Sequence, residues 1–300
     1  MKIINISKKK FQELEKLNLT REVFNTEGIL YDFNYQGKEK ILKQLYILNG
    51  ATFANKLYTL EMLDNNREYL PNSFVIPDYL CSVNGEITGF TMPKINGINL
   101  STILKSENKD YKEQIYYLKK IGEILNQLHN IRKYTSLKDI YINDLHDSNF
   151  IIDSKNRELR VIDLDSCKIG SNKIAASRFL IPSSIIKEVK KYKINEDETS
   201  SGYIIPNSDS DLYCYSIIIL NYLFGDKIGS VEIQEFYEYL NYLEDIKVNK
   251  ELIQIFNKLL IDNCKNENPL NYLDSLTSEQ ICRAKKLVYN KTKNRIVNKF

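Results

Sequence analysis

The spacing of apolar residues changes character at Gly97, and that change limits the chain to an α+β fold in which strands come first and helices follow. Before Gly97 the apolar residues fall in short runs, Gly28-Ile-Leu-Tyr31, Lys40-Ile-Leu-Lys43-Gln-Leu45 and Gly89-Phe-Thr-Met92, separated by the turn pairs Gln36-Gly37 and Asn84-Gly85. These predict strands of one small antiparallel sheet. Between the second and third runs, Leu57, Leu60, Met62 and Leu63 keep roughly helical spacing until Pro71, which predicts one helix over 54–69. After Gly97 the period is 3.6: Ile115, Leu118, Ile121, Ile124, Leu125 and Leu128 share one face of a helix over 111–129. A second long apolar helix runs over 211–224 and closes at Gly225, with further helical patterns over 231–243 and 251–262. Within this helical half, residues 142–169 return to short β-like runs flanked by Asp and Asn, the pattern of a site carried on a hairpin.

Composition narrows the class without naming a partner. In a chain of 300 residues, hydrophobic residues at 43% with 11 Gly and 6 Pro exclude collagen-like, disordered and low-complexity chains. A formal charge of +3 is too small to mark a nucleic-acid or membrane protein. The five cysteines, Cys81, Cys167, Cys214, Cys264 and Cys282, are far apart and odd in number, which predicts free thiols in a reducing cytoplasm. The first residues, Met-Lys-Ile-Ile-Asn-Ile-Ser-Lys-Lys-Lys, give no signal sequence, and the most apolar run, Ile217 to Leu220, is far shorter than a membrane span.

The chemistry concentrates in Tyr141-Ile-Asn-Asp144-Leu-His146-Asp-Ser-Asn149-Phe-Ile-Ile and in Arg160-Val-Ile-Asp163-Leu-Asp165-Ser166. Asp144, Asn149 and Asp163 stand at predicted strand edges and turns. Phosphoryl transfer from a nucleotide needs such a set, a carboxylate to orient a hydroxyl and accept its proton, and oxygen ligands for Mg²⁺ on the phosphates. The bland alternative is that the three residues cap turns.

Asp144-x-x-x-x-Asn149, with Asp163 fourteen residues further on, resembles the catalytic and metal-binding loops of the protein-kinase superfamily. Other segments resemble that family in the same order, over about residues 23 to 265. Ile41-Leu42-Lys43 is similar to the strand with the phosphate-binding Lys, and Glu61 to its ion-pair partner on the helix. Gly28 resembles the end of the glycine-rich loop. Gly89-Phe-Thr-Met92-Pro93-Lys94-Ile95-Asn-Gly97-Ile-Asn99-Leu resembles the last strand and adenine-binding hinge, with Met92 as gatekeeper and Asn99 close behind among the nucleotide-binding candidates. The segment from Asp211 to Gly225 resembles the central helix whose leading Asp steadies the catalytic loop.

The resemblance implies a bilobal kinase-like fold, with a small antiparallel β lobe and one helix over 1–95 and a mainly α lobe over 96–300. It implies catalytic and metal loops at 142–149 and 163–166. It further implies an ATP- and Mg²⁺-dependent phosphotransferase, foremost a Ser/Thr-type protein kinase similar to the bacterial branch that includes helix-hairpin-helix-fused kinases. A pseudokinase scaffold or a small-molecule phosphotransferase of the aminoglycoside- and choline-kinase type stands as the alternative. The partner implied is a protein substrate, with no nucleic acid and no membrane.

Several positions depart from the family. Val23 and Asn25 replace two phosphate-loop glycines, Asn143 replaces the Arg before the catalytic Asp, and Leu164 and Asp165 follow the metal Asp in place of Phe and Gly. Asp165 adds a carboxylate placed either to join the metal shell or to cap a turn. His146 stands where the small-molecule kinases carry His and is a supporting or phosphate-side candidate, whereas His129 reads as structural. Ile205-Pro206-Asn207 resembles the end of an activation segment. Within 166–201, Ser171, Ser177, Ser183, Ser184, Thr199, Ser200 and Ser201 are candidate autophosphorylation acceptors. The final stretch 283–300 holds seven Lys or Arg and no Asp or Glu, the pattern of a solvated basic helix.

Overall fold

The computed structural model describes residues 1–17, 27–106, 110–131, 137, 140–173, 206–225, 228, 231, 233–259 and 266–297. Its first part is a five-stranded sheet in the order β1-β4-β5-β3-β2, built from β1 (Lys2–Ile6), β2 (Gly28–Tyr35), β3 (Lys38–Leu45), β4 (Tyr79–Val83) and β5 (Glu86–Pro93). The two predicted turns close two-residue hairpins. Gln36 and Gly37 have φ 52° and 75°, and Asn84 and Gly85 have φ 53° and 87°. Positive φ at both central residues matches the right-handed twist of the flanking strands.

The expectation of a purely antiparallel sheet is corrected at one edge, where β1 pairs β4 in parallel, from Lys2↔Tyr79 to Ile6↔Val83. Hairpin signals report only sequential neighbours, so a strand pairing across more than seventy residues left no local mark. The physical drive is burial: Ile4 and Ile6 pack with Tyr31, Phe33, Leu42 and Cys81 on the outer face, contributing about 1.5–3 kcal/mol each. The short helix α1 (Lys8–Gln12), capped by Ser7, brings Phe11 against the same cluster.

The opposite face packs on α2 (Gly50–Asn65), where Leu45, Leu60 and Phe90 form a second cluster. This helix starts four residues earlier than expected because nothing between Gly50 and Ala54 breaks it. It ends at Asn66, whose side-chain N–H donates to Met62 O at 2.8 Å; Arg67–Tyr69 then form a separate 3₁₀ turn.

Beyond the sheet, β6 (Gly97–Asn99), β8 (Phe150–Asp153) and β9 (Leu159–Val161) make a small antiparallel sheet. A two-stranded ladder of β7 (Ile140–Tyr141) and β10 (Lys168–Ile169) lies beside it. These ride on a helical body of α3 (Leu100–Lys105), α4 (Tyr111–Asn130), α5 (Ser208–Phe224), α6 (Ile233–Asp245), α7 (Lys250–Lys258) and α8 (Ser278–Val297). The predicted apolar face of α4 is buried as expected, and α5 is buried almost all round from Asp211 to Phe224. Asn207 is the N-cap of α5 and forms a capping box with Ser210. Lys285, at the start of the basic stretch, lies 4.3 Å from the ring centroid of Tyr222. No helix among the described residues is long and apolar enough to cross a membrane.

Candidate functional site

Lys43 lies on β3 opposite Phe90 of β5, on the sheet face that α2 covers. Its ammonium donates to Asp163 Oδ1 at 2.5 Å and to Asp165 Oδ1 and Oδ2 at 2.9 and 3.1 Å. Residues more than a hundred positions apart thus meet at one point. Asp163 opens the 3₁₀ turn Leu164–Ser166 in the left-handed region, φ 60° and ψ 43°, and Asn143 has φ 64°. For non-glycine residues this conformation costs roughly 1–2 kcal/mol, and Asp and Asn bear it best. Such strain concentrates at functional sites.

The turn carrying Asp144 and Asn149 is held from behind. Asp211, fully buried one turn into α5, accepts from the Ile142 and Asn143 backbone N–H groups, each at 3.1 Å. Its Oδ2 also lies 3.1 Å from His129 Nε2, which makes His129 structural, as the sequence indicates. The Asn143 side chain donates to Ser166 O at 3.0 Å and so ties the two loops together. Asn149 donates through Nδ2 to Asp144 O at 2.9 Å, which leaves its carbonyl oxygen as the atom with which it would meet a cation. His146 Nε2 lies 3.7 Å from Asp144 Oδ2.

The electrostatics follow from burial and pairing. Burial pushes the Asp163 carboxyl up, against the pull of Lys43, to about 6. Burial also works against the charged form of Asp165, but Lys43 and Lys56 together outweigh it and hold that carboxyl well below the usual range. Lys43 is driven down by burial and raised more strongly by Asp163 and then Asp165, so its ammonium stays charged. Burial lowers His146, and the carboxylates of Asp144, Asp147 and Asp163 together outweigh it, for a net rise.

Three sequence assignments take a different place. Glu61 is exposed on α2, on a different face from the lysine-bearing site. The α2 residue that reaches the site is Lys56, whose ammonium donates to Asp165 Oδ2 at 2.7 Å and pairs with Glu27. Asp165 therefore replaces the expected glutamate as the counterion of Lys43. With no exposed side-chain surface and both oxygens held by lysines, it is neither turn cap nor open metal ligand. Asn99 is the N-cap of α3, and its amide donates to Ser148 O at 2.6 Å, so it braces the Asp147–Asn149 turn.

Of the expected hinge, Met92 is buried in β5, Pro93 has no N–H, and Lys94 gives its backbone N–H to Glu39 O at 3.3 Å and its ammonium to Asp32 Oδ1 at 2.5 Å. Ile95 follows in the connection to β6. Gly28 opens β2, where a Cβ would stand 2.0 Å from Gln44 O, so close strand pairing demands the glycine. Val23, Asn25 and most of 166–201 lie outside the described residues. Ser171 lies within them, its Oγ 3.1 Å from Tyr58 OH on α2.

Residue offsets along the chain do not point to Lys56 or Glu27. A signal existed for the lysine: Lys56 shares a helical stripe with Thr59, Leu60 and Leu63, all buried, and a lysine on a core-facing stripe asks for a partner. A groove of about 340 Å³ lined by Tyr111, Ile115, Tyr116, Leu273, Leu276 and Ile281 shares no residue with this site.

No protein-family model matches the chain, and no curated protein matches it at a significant level.

Proposed function

We propose that the chain is an ATP- and Mg²⁺-dependent phosphotransferase with a bilobal kinase-like arrangement, acting as a Ser/Thr-type protein kinase. The observation that carries this reading is the meeting of Lys43 from the sheet with Asp163 from the loop, beside the Asp144–Asn149 turn that Asp211 holds. In this reading the nucleotide lies over Lys43 and Asp163, with adenine along Met92–Ile95.

The donor set fits the cation. Asn149 and Asp163 are hard oxygen donors on neighbouring turns. Mg²⁺ suits such a sparse set, since it takes one or two protein oxygens and fills its shell with phosphate and water. When bound there, Mg²⁺ would neutralise charge on the transferring phosphoryl group. Lys43 places a fixed positive charge on the α- and β-phosphates. Asp144 orients the acceptor hydroxyl and takes its proton as the new bond to the γ-phosphorus forms and the bond to the ADP oxygen breaks, so catalysis rests on position and charge rather than on a covalent intermediate.

The His146–Asp144 pair favours a second reading, a small-molecule phosphotransferase, in which His146 steadies the base. Incubation with γ-labelled ATP and Mg²⁺, with and without a generic protein substrate, tests the proposal. Label on protein should appear with wild type and vanish in Asp144→Asn and Asp163→Ala, while Asp144→Asn keeps nucleotide affinity near wild type. Unchanged labelling in Asp144→Asn would remove the assignment of the base. Nucleotide binding with label only on added small hydroxyl compounds moves the activity to the second reading, and binding with no transfer identifies a scaffold.

A further inference from the structure

The reactive end of the site holds more charge than the expected machinery uses. Two ammoniums, Lys43 and Lys56, face three carboxylates, Asp163, Asp165 and Glu27, and every pair except Lys43–Asp163 runs through Asp165 or Lys56. Asp165 gives Oδ1 chiefly to Lys43, at 2.9 Å, and Oδ2 to Lys56, at 2.7 Å. Lys56 is itself buried, at 9% exposure, although its helix offers solvent on other faces. A buried lysine without a carboxylate would be costly, and a carboxylate between two lysines is divided between them.

We propose that Lys56 is a positioning residue of the transfer site, which sets the Lys43 ammonium through Asp165 and ties the entrance of β2 to the same site through Glu27. This rests on the phosphotransferase reading above. The mechanism is a division of charge. While Lys56 holds Oδ2, Asp165 cannot draw Lys43 wholly to itself, and the Lys43 ammonium stays shared with Asp163, at the place where phosphate oxygens would meet it. Without Lys56 the full charge of Asp165 falls on Lys43 and pulls it off that position. Glu27 stands directly before β2, so its pair with Lys56 ties the entrance of that strand to the site, with Ser166 Oγ donating to Glu27 Oε2 at 3.3 Å. The helix thus supplies a cation where the expected pattern has an anion, and the loop supplies the anion.

The test uses the full chain and two readouts, metal-free ADP affinity by equilibrium dialysis and ATP consumption with Mg²⁺, with thermal melting as the folding control. Lys56→Met should weaken ADP binding about tenfold, the scale of one hydrogen bond to a charged group. It should lower kcat about a hundredfold, the scale of a 1 Å misplacement. Lys56→Arg should restore both, because the cation returns. Glu27→Gln, at a half-exposed position that does not threaten folding, should raise the ADP Kd by a smaller factor. A Lys56→Met protein that melts lower but binds ADP and turns over like wild type makes Lys56 a fold residue only and overturns the proposal while leaving the phosphotransferase reading intact. If Lys56→Met does not fold, unchanged affinity and turnover in Glu27→Gln overturns it instead. Wild type that binds no adenine nucleotide overturns the phosphotransferase reading, and this inference with it.

Discussion

Asp163 shows how one residue trades stability for a site. Its carboxyl is pushed by burial from an ordinary 3.8 up to about 6, so the folded protein resists its ionisation. The stabilising contribution of the protonated acid is present below 3.8 and is lost as pH rises through 6. Asp163→Asn, which mimics the protonated form, should therefore raise the melting temperature at pH 8, with the gain fading by about pH 4. Lys43 keeps Asp165 as a partner in that variant, so no lone buried ammonium confounds the comparison. A melting temperature unchanged or lowered at pH 8 would show that Asp163 is not held against its charge.

At the scale of the element, the geometry of α2 explains which charge reaches the site. Glu61 and Lys56 lie five residues apart, about 140° around a helix, so they cannot both face Lys43. The buried stripe of Lys56, Thr59, Leu60 and Leu63 fixes the rotation of the helix, and Glu61 turns outward as a consequence. Helix α5 works in the same way: packing on nearly every side fixes it, and the fixed helix delivers Asp211 to the backbone of the Asp144 turn. Its end was legible from Gly225 alone. With φ 82° and ψ −179° that residue occupies a region L side chains rarely enter, and nothing lies within 4 Å of the place a Cβ would take. Gly225→Ala should thus cost about 1–3 kcal/mol through backbone strain without any clash, read as a lower urea midpoint with an unchanged slope.

Across the whole molecule, one large core runs through the helical body from Leu63 to Ala284, while the sheet keeps two small clusters of its own. Contacts between them line the 161–173 stretch, where Asn172 donates to Thr59 Oγ1 of α2 at 2.7 Å. Phe74 and Val161 form a bridge, Val75 N–H donating to Val161 O at 2.9 Å, and Lys43 and Lys56 reach from sheet and α2 to Asp165. Asp165 is therefore a joint as well as a counterion. Asp165→Ala should destabilise the protein by about 3–5 kcal/mol, because it leaves two buried lysines short of their shared carboxylate. Chemical denaturation measures this directly, and a loss under about 1 kcal/mol would mean the lysines find solvent instead.

What the sequence determined by itself is what depends on near neighbours. The hairpin turns at Gln36-Gly37 and Asn84-Gly85, the apolar face of α4, the stop at Gly225 and the Asp144–Asn149 turn each rest on residues within a few positions of one another, where dihedral preference and periodicity act. Tertiary structure alone decided the rest. The parallel pairing of β1 with β4, the exchange of Glu61 for Asp165 as the partner of Lys43, the use of Asn99 as a brace and the entry of Lys56 into the site all join segments far apart in the chain. Their pairing is chosen by which buried face leaves a charge in need of a partner, and that is a property of the packed molecule.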